Sequence, residues 1–271
     1  MIKKIIVSDH VAYEVEITGK GAPVLLLHGF TGNHNSWRKL INAYQHEFQF
    51  IVPSLLGHGG TDAPKDSERY HIEQCTRDLV EILRQLEIEK VHCLGYSMGG
   101  RLALALALCH PVYIRSLILE SSTAGLTSEQ ERSARRTSDR KLASMIRDDL
   151  VRFVDYWEKI PLFESQQHAL TLEEKQDLRK VRLAQNPFGL AGSLLGMGTG
   201  SQPNYFPRLS ELSMPVLLIT GALDQKFCQI AVEMTKHLSN GTHIKIDKSG
   251  HTVHLEQYQL FVELVADFLD K

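Results

Sequence analysis

The sequence predicts an α/β fold, in which a mostly parallel sheet carries helices on both faces and is interrupted by an inserted helical cap. Up to about residue 122, short apolar runs of strand length alternate with segments of helical spacing, a pattern typical of parallel βαβ units. Strand-like runs then disappear until about residue 206 and return afterwards. We therefore predict a core formed by residues 1–122 and 207–271, with residues 123–206 as the cap.

The strands in the first part of the core are predicted from apolar runs bounded by polar or glycine-containing segments. In order, they are KKIIVSD, VAYEVEIT, APVLLLHGF, FQFIVPSLLGHGGTD, KVHCLGYS and IRSLILESS. Helices are predicted for SWRKLINAYQ and for IEQCTRDLVEILRQLEI, whose apolar residues are three to four positions apart. A third helix is predicted for the apolar run that follows KVHCLGYS.

The cap and the second part of the core differ sharply in pattern. Almost no strand-like alternation occurs in the cap segments SEQERSARRTSDRKLASMIRDDLVRFVDYWEKIPLFESQ and TLEEKQDLRKVRLAQNPFGLAGSLLGMG. Strand patterns resume in MPVLLITGALDQKF and THIKIDKSGHTVHLE, and QLFVELVADFLDK is predicted to be a helix that closes the core. The cap is therefore predicted to be all-helical.

Composition narrows the class of protein. The formal net charge of -2 over 271 residues gives no global basic field for nucleic acid. We expect no membrane association either, since every apolar stretch is far below the ~20 residues of a membrane span and the first residues lack a signal-peptide pattern. The cysteines form no C-x-x-C pair, which predicts reduced thiols and a cytoplasmic location. They are Cys75, Cys93, Cys109 and Cys228.

The segment GYSMG at residues 95–99 predicts a catalytic nucleophile. It has the G-x-S-x-G pattern and lies between an apolar strand and a small-residue helix, which is the context of a nucleophile elbow. In such an elbow the serine occupies a strained turn that exposes its oxygen at the carboxyl edge of the sheet. Ser97 is therefore the candidate nucleophile or base.

A catalytic serine needs a base and an orienting acid, and the chain order expected for this elbow is Ser, Asp or Glu, then His. Asp224 follows the strand in LLITGALDQKF, and His251 follows the last strand, so both are predicted to lie at the same sheet edge as Ser97. Glu120 is an alternative acid, because it ends the strand after the elbow. For His254, and likewise for His58 and His110, we favour a packing role in a loop or at a helix end.

Two backbone N–H groups are expected to form an oxyanion hole for the reacting carbonyl. One belongs to Met98, the residue after the serine. The other lies in the loop after the strand LLLHGF and is assigned most simply to Phe30. His28 precedes that loop, and we expect it to make a structural hydrogen bond.

Arg101 is an unusual residue for its position. It lies in the first turn of the helix after Ser97, where the helix dipole disfavours a cation. Residues four apart share a helix face, so its side chain is predicted to point toward the pocket, where it could bind a carboxylate in bidentate fashion. The cap supplies further candidates, although most cap arginines are expected to be solvated or paired. They are Arg132, Arg135, Arg136, Arg140 and Arg182.

The motifs resemble those of α/β hydrolases: HGF at 28–30, GHG at 57–59, GYSMGG at 95–100, LD at 223–224 and GH at 250–251. Within that fold family, the chain is similar to the 2-succinyl-6-hydroxy-2,4-cyclohexadiene-1-carboxylate (SHCHC) synthases of menaquinone (vitamin K2) biosynthesis. The motifs that carry this similarity are GYSMGGR, ERSARR, DYWEKIPLF, RLAQNPFGLAGSLLGMGTGSQP and GALDQKF. It spans essentially the whole chain. One departure is Ser54, where many relatives carry an acid in a scaffold loop.

The resemblance implies a lyase that eliminates pyruvate from 2-succinyl-5-enolpyruvyl-6-hydroxy-3-cyclohexene-1-carboxylate, with the triad serine as base. It assigns the catalytic roles to Ser97, Asp224 and His251. The substrate-binding residues that it implies are Tyr96, Arg101, Arg135, Trp157 and Arg182. The partner is then a multiply anionic small molecule; an oligomeric partner stays open. No cofactor is expected, because the sequence has neither a metal-ligand cluster nor a phosphate loop.

Two alternatives from other classes stay open at this point. The first is a hydrolase that uses the same triad to cleave an ester or a carbon–carbon bond in an anionic substrate. The second is a non-enzymatic binding module with the same fold. The complete set of Ser97, Asp224 and His251 argues against the second, since binding alone does not need all three groups.

Overall fold

Eight strands form one sheet in the computed structural model, which describes residues 1–270. They are β1 (Ile2–Ile6), β2 (Ala12–Gly19), β3 (Ala22–Leu27), β4 (Phe48–Pro53), β5 (Val91–Tyr96), β6 (Ile114–Glu120), β7 (Val216–Gly221) and β8 (Gly241–Ile246). Their order across the sheet is β1-β2-β4-β3-β5-β6-β7-β8. Only the pairs β1–β2 and β2–β4 are antiparallel, so six neighbouring strands run parallel.

Eleven α-helices lie within the described residues. They are α1 (Arg38–Tyr44), α2 (Ile72–Gln85), α3 (Met98–Cys109), α4 (Glu129–Asp148), α5 (Leu150–Trp157), α6 (Gln166–Ala169), α7 (Leu172–Leu183), α8 (Pro187–Gly196), α9 (Gln225–His237), α10 (Val253–Glu256) and α11 (Tyr258–Leu269). Short 3-10 helices occur at Ser8–His10, His34–Trp37, Ser67–Tyr70, Pro111–Tyr113, Pro161–Phe163 and Phe206–Glu211.

Both faces of the sheet are covered by helices, which explains why its central strands read as continuous apolar runs. In β3, Leu25 and Leu27 face the cluster that includes residues of α2, α3 and α9, whereas Val24 and Leu26 face the cluster that includes residues of α1 and α11. All four of these side chains are fully buried. The predicted α/β class with helices on both faces is therefore confirmed.

The segment between β6 and β7 is helical, as the sequence predicts. It contributes α4 to α8, and it holds a small apolar cluster of its own, with Ile146, Phe153 and Leu190 among its buried members. Phe30, from the loop after β3, packs against this cluster and also against the core. The helices of this cap thus lie over the carboxyl edge of the sheet. The domain boundaries at residues 122/123 and 206/207 stay a prediction.

Two further observations concern membrane-spanning helices and metal sites, neither of which the sequence predicts. Within residues 1–270, no helix is both long and apolar enough to span a membrane. Over the same range, no three His, Cys, Asp or Glu side chains come together as a metal ion would require.

Candidate active site

The turn between β5 and α3 has the geometry of a nucleophile elbow. Ser97 has φ 50° and ψ -106°, a conformation that costs free energy for a residue with a side chain. The flanking glycines allow the turn to pack closely. A Cβ on Gly95 would lie 2.3 Å from the carbonyl oxygen of Gly99, and a Cβ on Gly99 would lie 2.2 Å from that of Leu27. The G-x-S-x-G pattern is therefore required by close approach of backbone to backbone.

Ser97, His251 and Asp224 form a continuous hydrogen-bonded chain. His251 Nε2 lies 3.0 Å from Ser97 Oγ, and His251 Nδ1 lies 2.7 Å from Asp224 Oδ2. The three residues follow β5, β8 and β7, so the parallel sheet brings their loops to one edge. The side chains of His251 and Asp224 are only 1% and 8% exposed, and Oδ1 of Asp224 also accepts the backbone N–H of Phe227. The imidazole is thus held in one orientation by a buried carboxylate.

Glu120, the alternative acid, has a different partner. Its two carboxylate oxygens each lie 2.9 Å from Nδ1 of His254, and one also accepts the His254 backbone N–H. Among the described contacts, none joins Glu120 to the imidazole of His251. Of the two candidate acids, Asp224 is therefore the one that contacts the imidazole facing Ser97. His254 does more than pack at a helix end, because it bonds to a fully buried acid.

Two backbone donors are free where an oxyanion would form. Met98 begins α3 directly after the serine, and Phe30 follows β3. Within residues 1–270, neither of their N–H groups donates to another group of the protein. Both residues line the same cavity as Ser97. Their N–H groups are therefore available to a ligand.

His28 makes the structural hydrogen bonds expected of it. Its Nε2 accepts the N–H of Leu55 at 2.9 Å, so Nδ1 carries the proton and donates to the carbonyl of Gly29 at 2.7 Å. Burial, followed by the neighbouring His58, lowers the pKa of His28 well below its ordinary value. A neutral ring with both nitrogens occupied is consistent with a structural role.

A cavity of about 140 Å³ opens above Ser97, between the core and the cap. Eight of the ten predicted site residues line it: Phe30, Tyr96, Ser97, Met98, Arg101, Arg135, Trp157 and His251. Asp224 contacts it through His251. The cavity is also lined by Phe163 and Lys226, which the sequence analysis missed. Lys226 follows Asp224 by two positions at the start of α9, and that spacing is the signal that could have revealed it.

Arg101 points toward this cavity, as its helical position predicts. The side chain is buried, and its Nη1 donates to the carbonyl of Met197 at 2.5 Å and to Gln202 Oε1 at 2.8 Å. Burial, and then the neighbouring Arg135, lower the pKa of Arg101 to about 9, because two cations lie together in a poorly solvated place. Asp139 opposes this effect and pairs with Arg135 Nε at 2.8 Å. An anionic ligand would offset the electrostatic repulsion between Arg101 and Arg135.

Arg182 lies outside the Ser97 cavity. It lines a neighbouring cavity of about 330 Å³, and Phe30, Tyr96 and Phe163 line both. Its Nη1 donates to Glu158 Oε1 at 3.1 Å, and its guanidinium lies 5.7 Å from the centre of the Phe163 ring. The structure therefore places Arg101 and Arg135 in the cavity of Ser97 and Arg182 in the neighbouring cavity.

The other cap arginines are accounted for by surface contacts. Arg132 and Arg136 both pair with Glu129, and Arg136 also donates to the carbonyl of Gly200. Arg140 is exposed. This agrees with the expectation that most cap arginines are solvated or paired.

Known proteins of similar sequence indicate the family of this chain. The sequence profile of the alpha/beta hydrolase fold family matches residues 22–258. The chain is 47% identical over 268 residues to a Bacillus subtilis protein named putative 2-succinyl-6-hydroxy-2,4-cyclohexadiene-1-carboxylate synthase, covering 98% of this chain and 97% of that protein.

Two solved structures are also similar. Staphylococcus aureus MenH superimposes with a TM-score of 0.90 at 33% identity, over 95% of this chain and 97% of its own. A thermophilic esterase from Thermogutta terrifontis, solved with malate bound, superimposes with a TM-score of 0.86 at 26% identity, over 100% of this chain and 98% of its own. The overall architecture is thus shared by proteins with different names.

Proposed function

The chain belongs to the α/β-hydrolase family, and from that premise we propose that it is an SHCHC synthase of menaquinone biosynthesis. It would convert 2-succinyl-5-enolpyruvyl-6-hydroxy-3-cyclohexene-1-carboxylate into 2-succinyl-6-hydroxy-2,4-cyclohexadiene-1-carboxylate and pyruvate. The synthase name of the Bacillus subtilis relative, which matches over 98% of this chain, supports the assignment. The observation in the site that carries it is the buried Arg101 in the same cavity as Ser97.

In this proposal Ser97 is the base and forms no acyl-enzyme. His251 accepts the proton of Ser97 Oγ, and Asp224 holds the imidazole and stabilises its protonated form. The serine oxygen removes the proton alpha to the succinyl ketone, and the resulting enolate is held by the N–H groups of Phe30 and Met98. The enolate electrons then form the new ring double bond, the ring alkene shifts, and the carbon–oxygen bond to the enolpyruvyl group breaks. The departing enolpyruvate takes up the proton held by His251 at its methylene carbon, which gives pyruvate and returns the imidazole to its neutral form.

The cations beside Ser97 suit a substrate with several carboxylates. Arg101 has two donors to protein acceptors on one nitrogen, which leaves the rest of its guanidinium for a ligand. Arg135 lines the same wall. We propose that these two arginines bind substrate carboxylates and that Tyr96 and Trp157 pack against the ring. Arg182 would bind a further carboxylate that extends into the neighbouring cavity, which shares Phe30, Tyr96 and Phe163 with the Ser97 cavity. Each charge-assisted hydrogen bond of this kind is worth roughly 1.5–3 kcal/mol.

These residues supply every proton transfer and charge contact of the proposed reaction, so we propose no cofactor. We also keep the cytoplasm as the proposed location, in line with the four free cysteines. The hydrolase alternative is not favoured, because the Bacillus subtilis relative with the synthase name is 47% identical over 98% of this chain, whereas the esterase is only 26% identical.

The deciding experiment compares two substrates on one preparation. We expect rapid pyruvate release from the enolpyruvyl substrate. The release is measured with a coupled enzyme that reduces the pyruvate formed. A neutral p-nitrophenyl ester should react with a kcat/KM lower by at least ~10³, because it lacks the carboxylates that Arg101 and Arg135 would bind. Ser97→Ala serves as the blank. Comparable turnover of the ester, or absence of pyruvate, would overturn the synthase assignment.

A further inference from the structure

A second acid–imidazole pair lies directly behind the first. Glu120 is fully buried, and His254 is 7% exposed. Both carboxylate oxygens lie 2.9 Å from His254 Nδ1, and the His254 backbone N–H donates to one of them at 3.0 Å. No step of the proposed reaction uses these two residues.

Glu120 is linked to both partners of the Ser97–His251 hydrogen bond. Its backbone carbonyl accepts the N–H of Ser97 at 2.9 Å, because Glu120 ends the strand that pairs with β5. Its side chain holds His254, which lies in α10, three residues after His251. One residue therefore connects the backbone of the serine to the segment that carries the imidazole.

The ring of Tyr96 completes this connection. Its centre lies 4.8 Å from that of His254 and 5.5 Å from that of His251. On its other side, His254 packs against Trp37 at 4.9 Å. A change in the position of the His254 ring would thus be passed to the wall of the Ser97 cavity and to His251 itself.

A buried carboxylate is a weak source of stability, because the loss of its hydration offsets much of what its hydrogen bonds contribute. Its more specific effect is directional: two donors from one residue fix that residue in place. We infer that Glu120 and His254 are positioning residues that hold His251 at hydrogen-bonding distance from Ser97. The inference rests on the proposed roles of Ser97 and His251, but not on the identity of the substrate.

The test is the rate at which a fluorophosphonate reagent labels Ser97, which reports the alignment of serine and imidazole without the physiological substrate. We expect Glu120→Gln to lower the labelling rate and the kcat for pyruvate release by about 10- to 100-fold, with KM nearly unchanged, as a small misalignment of reacting groups does. Asp78→Asn is the matched control. Asp78 is also a buried acid, paired with Arg69 and Tyr13, and it does not line the Ser97 cavity. The Asp78→Asn substitution should lower the Tm and leave the rates of labelling and of pyruvate release unchanged.

A second pair of variants covers the case in which Glu120→Gln fails to fold. His254→Asn keeps a donor where Nδ1 stands and should retain most of the labelling rate, whereas His254→Leu should lose it. Wild-type labelling in folded Glu120→Gln, or equal rates in the two His254 variants, would overturn the positioning role. If wild-type protein is labelled but releases no pyruvate, only the proposed function fails. If it is not labelled at all, both fail.

Discussion

His251 Nε2 lies 3.0 Å from Ser97 Oγ although 154 positions of sequence separate the two residues. Removal of the oxygen should therefore stop the proton transfer while leaving the fold intact. We expect Ser97→Ala to lower the rate of pyruvate formation by at least ~10³. The measurement is kcat/KM at one pH, with circular dichroism to confirm folding. Ser122→Ala, which removes another hydroxyl that lines the cavity, should stay near the wild-type rate. Near-normal turnover by folded Ser97→Ala would contradict the assignment.

Arg101 tests the carboxylate clamp. Arg101→Ala should cost roughly 2–5 kcal/mol of transition-state binding, since a desolvated charge contact is lost. Arg101→Lys should recover only part, because an ammonium cannot form the bidentate contact. Kinetics with the enolpyruvyl substrate give both numbers. Arg140→Ala, an exposed arginine of α4, is the control and should change nothing. If the two alanine variants behave alike, Arg101 has a structural role only.

The stability of the Arg101→Ala variant is a separate matter. The helix dipole disfavours a cation in the first turn of a helix. From the sequence alone, we therefore expect the Tm to stay the same or rise slightly when Arg101 is removed. The structure adds two buried acceptors, the Met197 carbonyl and Gln202 Oε1, which the alanine leaves without their donor. These effects oppose each other, so the expected change in Tm is small.

Glu158 is expected to compete with substrate for Arg182. Glu158→Gln removes the carboxylate that holds Arg182 at 3.1 Å, and the KM of the anionic substrate should fall several-fold with kcat unchanged. Glu158 also binds Arg179, whose second partner is Asp155. Asp155→Asn therefore perturbs Arg179 alone and is the matched control. An equal change in KM for both variants, or a rise for Glu158→Gln, would count against a role of Arg182 in binding.

His58 makes the stability depend on pH. Burial lowers the pKa of His58 from 6.5 to about 4, so the folded state keeps the ring neutral where the unfolded chain would protonate it. The contribution of His58 to the free energy of unfolding is fully present above pH 6.5. It is lost as the pH falls from 6.5 toward 4, and the total loss is about 3 kcal/mol. Urea unfolding at several pH values measures it. In His58→Asn this part of the pH dependence should disappear; an unchanged slope between pH 6.5 and 4 would rule out His58 as its source.

The sequence predicts the parts of the site that depend on strand ends. Ser97, Asp224 and His251 each follow an apolar strand, and parallel strands bring such positions to one edge without any knowledge of side-chain packing. The direction of the Arg101 side chain is predicted from helical periodicity, which also needs no knowledge of side-chain packing.

Other features depend on contacts between distant segments that no local pattern encodes. Arg182 is separated from the Ser97 cavity by residues that line both cavities, Phe30, Tyr96 and Phe163. The pairing of Glu120 with His254 depends on which way two buried side chains turn. Neither can be read from spacing, because each is decided by how cap and core pack together.

The strand order has a consequence for how activity is acquired during folding. The segment at Phe30 reaches the elbow at Ser97 through the pair β3–β5, and the loops at Asp224 and His251 reach it through the pair β6–β7. The two strands of each pair are far apart along the chain. Contacts of such long sequence separation are slow to form, since the intervening chain must lose its freedom first. A partly folded molecule in which these strand pairs have not formed contains the residues of the site but does not bring them together. We therefore expect activity to appear only when these strand pairs have formed.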